Sequence, residues 1–148
     1  MARIKTSQDY QRDLKQSREN LHSFWKNISE SFEWFRAPQK TLDGTLQNGD
    51  VRWFSDGQLN ITVNALDRHV KTDPQRIAFY FEPNDSAEKS SQFTYQQTLD
   101  RVCQFANLLK SAGVKKGDVV CFYMSMVPEL VFGVLACARV GAVHSVVF

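Results

Sequence analysis

The rhythm of apolar and polar positions is clearest between Val119 and Phe148. Val119 to Met124 is a short, continuous apolar run; Pro128 stands where a helix could begin; an apolar stretch of helix length reaches Val140; Gly141 follows, and a second apolar run ends at Phe148. Run length, the proline before and the glycine after predict strand, helix, strand. Such a unit pairs its strands in parallel, with both strand faces expected to be buried.

Upstream the pattern changes period. Residues 77 to 81 are β-branched or aromatic apart from Ala78, and the run stops at Pro83. Asn84 to Ser91 is a polar turn, after which Gln92, Phe93 and Thr94 can pair back antiparallel. Thr94 then caps a helix of about seventeen residues whose apolar face is Leu99, Val102, Cys103, Ala106 and Leu109. Gly113 stops it, and Lys115, Lys116, Gly117 and Asp118 turn the chain into the strand at Val119.

The first half is helical, then irregular. Ser7 can cap a helix on which Tyr10, Leu14, Ser17, Leu21 and the pair Phe24 and Trp25 recur at three- and four-residue steps; Phe32, Trp34 and Phe35 follow, and the pattern ends at Pro38. This segment reads as an arm laid across the main body. Thr41 to Asp50 reads as a loop, Trp53 and Phe54 as a short strand, and Asp56-Gly57 as a turn. Asn60 or Thr62 can cap a short helix from Val63 to about Lys71, with Val63, Leu66 and Val70 on its buried stripe. Asp67, Arg68 and His69 cluster on that helix, either as a substrate or partner contact or as local salt bridges anchoring it to the body. The fold class is therefore α/β: an N-terminal helical arm, residues 7–72 with its loop and short helix, followed from residue 73 to 148 by the first part of a doubly wound, mostly parallel sheet, an incomplete domain.

Composition narrows the class without naming it. The 148 residues are 43% hydrophobic and 23% charged, which excludes disorder over the whole length, and a net charge of +2 with no Lys/Arg block gives no footprint for nucleic acid. Leu130 to Phe148 is almost a membrane span in length, but Arg139, His144 and Ser145 interrupt it, so it reads as buried helix plus strand. The N-terminus has no apolar core of a secretory signal. Cys103, Cys121 and Cys137 are far apart, form no metal-ligand spacing, and read as small buried hydrophobes in a reducing, cytoplasmic setting.

Chemistry is sparse. The two glycines and two lysines of residues 113 to 117 precede a strand instead of following one, so they make a turn and not a phosphate cradle. Ser125 follows a strand as a nucleophile would, but lacks the glycines of a sharp elbow, and a helix-entry role suits it better. Glu129 suits the dipole of the helix it opens, and His144 reads as a structural histidine. No catalytic residue and no metal ligand is expected.

A resemblance adds what the residues alone do not. Trp53-Phe54, Asp56-Gly57, Leu59-Asn60, Asn64 and Leu66-Asp67-Arg68-His69 resemble the opening signature of the acetyl-CoA synthetases. The same holds for Gly117-Asp118 with Tyr123, Met124 and Met126 to Glu129, and for Leu135 to Arg139 followed by Gly141 to Phe148. Ala65 and Ser125 depart from the family, which usually has Cys and Pro there. The resemblance implies a ligase of the adenylate-forming superfamily that uses ATP with Mg2+ and then coenzyme A to turn acetate into acetyl-CoA. It implies small-molecule substrates and neither a nucleic-acid nor a membrane partner. The family's phosphate loop, Thr-Ser-Gly-Ser-Thr-Gly-Lys-Pro-Lys-Gly, and its catalytic lysine are not in the chain. The expectation is an N-terminal fragment, inactive alone and binding none of these cofactors well. Phe148 is the one carried-over position, matching the phenylalanine that borders the coenzyme A adenine in the family. A propionate or other short-chain ligase, and a non-catalytic interaction module, are the alternatives.

Overall fold

The computed structural model describes residues 4–45 and 47–147. The chain divides into two compact units between Leu59 and Asn60.

In the first unit, α1 (Ser7–Glu19) starts one residue earlier than the Ser7 cap expected. Thr6 is the cap: its hydroxyl accepts from the Asp9 amide at 3.1 Å, while the Asp9 carboxylate accepts from the Thr6 amide at 3.1 Å. Asn20, with φ −130°, leaves helical geometry and separates α1 from α2 (Leu21–Ser29). The periodic apolar residues are only half covered, and Tyr10 is exposed. Within the stretch expected to be loop, Leu42–Asp43 (β1) pairs antiparallel with Arg52–Trp53 (β2). Phe54 does not continue that strand. Its φ of 49° turns the backbone, and the Gly57 amide closes the turn onto the Phe54 carbonyl at 2.9 Å. Trp25 meets Trp53 edge-on at 5.7 Å, Trp34 meets Phe54 at 5.8 Å, and the Trp34 indole donates to the Ser29 carbonyl at 2.8 Å. A Cβ on Gly57 would lie 2.8 Å from the Trp34 ring, so glycine is what lets the turn close on the indole.

The second unit opens with a helix whose first part is π-helical, Val63–Asp67, continuing as α3 (Arg68–Thr72). Asn60 does the capping, its side-chain oxygen accepting from the Thr62 amide at 3.0 Å and the Thr62 hydroxyl at 2.7 Å. The wider π turn changes which positions face inward: Thr62, Asn64 and Leu66 are buried, whereas Val63 and Val70 are only half-buried. β3 (Ile77–Phe81) and β4 (Ser91–Thr94) pair antiparallel as expected. Phe79 stacks on Phe93 at 5.0 Å and both rings meet Phe132. α4 (Tyr95–Ser111) carries a capping box between Thr94 and Gln97. Thr94→Ala removes the amide's acceptor there and is expected to cost about 1 kcal/mol, read as a lower urea midpoint at unchanged slope.

β5 (Val119–Tyr123), α5 (Pro128–Val140) and β6 (Val143–Val147) follow the sequence reading closely. The strands are parallel and in register from Val119↔Val143 to Tyr123↔Val147; Pro128 begins α5, and Gly141 ends it at φ 81°. Val102, Ala106, Leu109, Phe122, Leu130, Phe132, Ala136 and Cys137 form the core where α4 and α5 cover this pair. The structure is α/β, but its sheets are three separate two-stranded pairs among the described residues, and only β5–β6 is parallel. The expected burial of both strand faces is not met. Phe122 is buried and Val120 and Val146 half-buried under the helices, whereas Val119 is 69% exposed, Tyr123 81%, Val143 54% and Val147 44%. Pleat alternation assigns Val119, Cys121, Tyr123, Val143, Ser145 and Val147 to one uncovered face.

Candidate functional site

In an open α/β layer, ligands bind outside the carboxyl ends of parallel strands. That place is formed here by Tyr123 at the end of β5, Val147 opposite it in β6, and the connection into α5. Tyr123, Met124, Ser125 and Met126 line a shallow hollow of about 440 Å3. Tyr123 and Met126 are exposed, so the hollow is apolar with two polar oxygens, the Tyr123 phenol and the Ser125 hydroxyl. Phe148, the residue expected to border a coenzyme A adenine, lies outside the described residues.

Local sequence explains why the hollow exists. β5 ends because the chain must turn before Pro128, whose ring fixes φ and disfavours helix at Val127; Val127 is extended at φ −119°, ψ 161°. Ser125 does not cap the helix with its side chain. Its carbonyl accepts from the Val127 amide at 2.9 Å, holding the turn. Glu129 sits in the first turn of α5, as its charge predicts.

A second polar centre joins the start of the unit to the end of α5. Arg139 grips Asp67 with both nitrogens, at 2.8 and 3.0 Å, and its Nη1 also reaches the Thr62 hydroxyl at 3.3 Å. The Asn60 side-chain Nδ2 donates to the Arg139 carbonyl at 2.9 Å. Hydrogen bonds from Arg139 hold the Asp67 carboxyl below the usual carboxylate range against the opposing effect of burial, and Asp67 in turn raises the guanidinium. The anchoring role expected for Asp67 holds, but the partner is distant in sequence. Arg68 meets the Asn64 side chain at 3.4 Å, and His69 packs on Tyr95. Beside Arg139, Cys103, Asn107, Lys110 and Val114 line an open groove of about 470 Å3.

The remaining candidates separate. Lys115 and Lys116 lie in the αβ turn before β5, where the Lys115 amide donates to Asp118 at 2.7 Å, at the opposite end of the strand from the hollow. His144 is exposed on β6. Cys137 is buried and its thiol pushed up by burial, but Cys103 is only half-buried and Cys121 is exposed on the uncovered face, so the expectation of three buried cysteines holds for Cys137 alone. Among the described residues no three His, Cys, Asp or Glu side chains gather as a metal site, and no helix is long and apolar enough to cross a membrane. Sequence reading missed Arg139 as the partner of Asp67, since nothing local links positions so far apart.

Comparison with known proteins gives a consistent result. The AMP-binding enzyme family matches residues 66–148, and the acetyl-coenzyme A synthetase N-terminus family matches residues 10–65. Acetyl-coenzyme A synthetase 2 of Pseudomonas aeruginosa is 46% identical over 141 residues, covering 95% of this chain and 22% of that protein. Acetyl-coenzyme A synthetase of Xylella fastidiosa is 46% identical over 135 residues, covering 90% and 21%. The solved structure of acetoacetyl-CoA synthetase from Streptomyces lividans superposes with a TM-score of 0.80 at 27% identity, covering 90% of this chain and 20% of that one. The chain thus spans about a fifth of the length of these relatives. With both family matches and an α/β layer shared with a solved relative, the chain belongs to the AMP-binding enzyme family and corresponds to the N-terminal part of proteins named acetyl-coenzyme A synthetase.

Proposed function

We propose that these residues serve an acetate–CoA ligase acting in the cytoplasm, with residues 7–72 as its N-terminal region and 73–148 as the start of its adenylate-forming domain. The carrying observation is agreement along 95% of the chain with a protein named acetyl-coenzyme A synthetase. In that reaction an acetate oxygen attacks the α-phosphorus of ATP and pyrophosphate leaves; the coenzyme A thiol then attacks the acetyl carbon and AMP leaves. Binding of the phosphates needs fixed donors or Mg2+ at the developing charge.

The hollow at the end of β5 offers no cationic side chain to the phosphates, since Tyr123, Met124, Ser125 and Met126 carry no positive charge. Its exposed apolar surface fits a flat base, and Phe148 is the residue assigned in this reading as a contact for the coenzyme A adenine. The chain by itself is therefore inactive in this reading and binds ATP and coenzyme A poorly. Acetate-dependent exchange of pyrophosphate into ATP tests this. A polypeptide that continues past residue 148 with the relatives' remaining length should catalyse exchange, and residues 1–148 alone should not. Exchange by residues 1–148 alone would overturn the assignment of phosphate chemistry to other residues. Exchange by the longer protein with propionate or acetoacetate but not acetate would favour a sister ligase, a reading that the structural likeness to an acetoacetyl-CoA synthetase keeps open.

A further inference from the structure

We propose that His69, Arg76 and Tyr95 form an acid-sensitive latch that ties the end of α3 to the start of α4, independently of the proposed ligase reading. Arg76 Nη2 lies 3.0 Å from His69 Nδ1. An arginine only donates, so this contact requires a lone pair on Nδ1 and a neutral ring carrying its proton on Nε2. The same guanidinium sits 4.7 Å above the Tyr95 ring, and the His69 and Tyr95 rings are 4.7 Å apart at 39°. Backbone bonds fix the frame. The Asp73 amide donates to the His69 carbonyl at 2.8 Å, the Tyr95 amide to the Arg76 carbonyl at 2.9 Å, and the Gln96 amide to the Pro74 carbonyl at 3.0 Å. These bonds fix the backbone on both sides of the contact, so the guanidinium and the imidazole start from held positions.

Protonating Nδ1 removes the acceptor and brings two cations within hydrogen-bonding distance. The charges around the ring reinforce this. Arg68 precedes it on the same helix, and Arg76 faces it from the turn. Tyr95 faces it from α4. Asp73, the acid of that turn, already accepts from the Arg76 amide at 3.2 Å. Partial burial, then Arg76 and Arg68, hold the imidazole below its ordinary value of 6.5. Because the folded value is the lower one, the unfolded chain takes up the proton first. The stabilisation is present above pH 6.5 and is lost as pH falls below it.

The test follows folding of the chain by circular dichroism in urea at pH 7.5 and 5.5, with the imidazole Cε1–H resonance of His69 titrated in parallel. That resonance is identified by its loss in His69→Gln. Between the two pH values the folding constant of the unaltered chain should fall by up to about tenfold more than that of His69→Gln. The His69 resonance should titrate below 6.5, and Arg76→Met should move it upward. Equal pH dependence of the unaltered chain and His69→Gln would overturn the latch, as would titration of His69 at or above 6.5. If His69→Gln does not fold, the titrations of the unaltered chain and Arg76→Met decide it.

Discussion

Replacing Arg139 by alanine should destabilise the second unit by about 2–3 kcal/mol. The estimate lies between two regimes. Breaking a fully buried pair costs about 3–5 kcal/mol because one charge is left without a partner, whereas an exposed pair contributes at most about 1. The Asp67 and Arg139 side chains are 23% and 26% exposed, which places them nearer the buried limit. The Thr62 hydroxyl, at the fully buried start of the π-helical segment, loses a charged donor as well. Adding Asp67→Asn to Arg139→Ala should recover part of the loss, since the stranded charge is then gone. Acid gives an independent readout. With Arg139 present the folded Asp67 stays ionised below its ordinary range, so the pair's contribution is full above about pH 4 and declines as pH falls further. Arg139→Ala should flatten that part of the pH profile in urea titrations between pH 7 and 3. An unchanged profile with an unchanged midpoint would show that the grip on Asp67 does not hold the unit together.

The parts legible in the sequence are those that local chemistry determines. Pro128 at the start of α5, Gly141 at its left-handed end, the Thr94 cap and the stripe on α4 each need only neighbouring residues, and each appears where its signal stands. The family resemblance was likewise legible, because Trp53-Phe54, Leu66 to His69 and the residues from Leu135 to Arg139 are contiguous strings. What was not legible depends on distant parts of the chain. Arg139 could be read as a break in a membrane span or as a basic residue suited to a helix end, but not as the partner of Asp67. The π turn at Val63–Asp67 puts Thr62 and Asn64 inside, and no 3.6-residue periodicity reveals that. Ser7 and Thr6 are both competent caps; Asp9 decides between them, because it sits at the third helical position only if Thr6 is the cap. Phe54 belongs to a β-prone pair, yet it is turned out of the strand by the contacts of Trp34 and Gly57. Burial of both faces of β5 and β6 was the general expectation for parallel strands. Here one face is uncovered, and with it Cys121, because no helix of the described residues packs there. The site is legible in the same partial way: topology points to the end of β5, and the lining follows, while the role of Phe148 rests on resemblance.

Gly133 on the covering helix faces the Phe122 ring of the strand, and the second large effect is expected there. A Cβ built on it would lie 2.5 and 2.8 Å from two atoms of the Phe122 ring. Alanine at an interior helix position ordinarily gains up to about 1 kcal/mol over glycine. Here that gain is opposed by a clash with a ring that is itself buried and flanked by Phe105 at 6.2 Å, so the ring cannot swing aside without opening the core. Gly133→Ala should therefore be destabilising by about 1–3 kcal/mol. Phe122→Ala should cost about 3–5 kcal/mol through lost burial and the cavity it leaves. The two effects should not add. With the ring gone, the methyl group at position 133 has room, and the double variant should be no less stable than Phe122→Ala, and up to about 1 kcal/mol more stable. Urea unfolding followed by circular dichroism measures all three. Strict additivity would mean that the methyl group meets something other than Phe122, and that α5 crosses β5 with a different residue against the ring. Since α5 also carries Arg139 to Asp67, a shift of the helix along the strand would then appear in the acid profile of the unaltered chain, which ties the packing contact and the ion pair to one helix position.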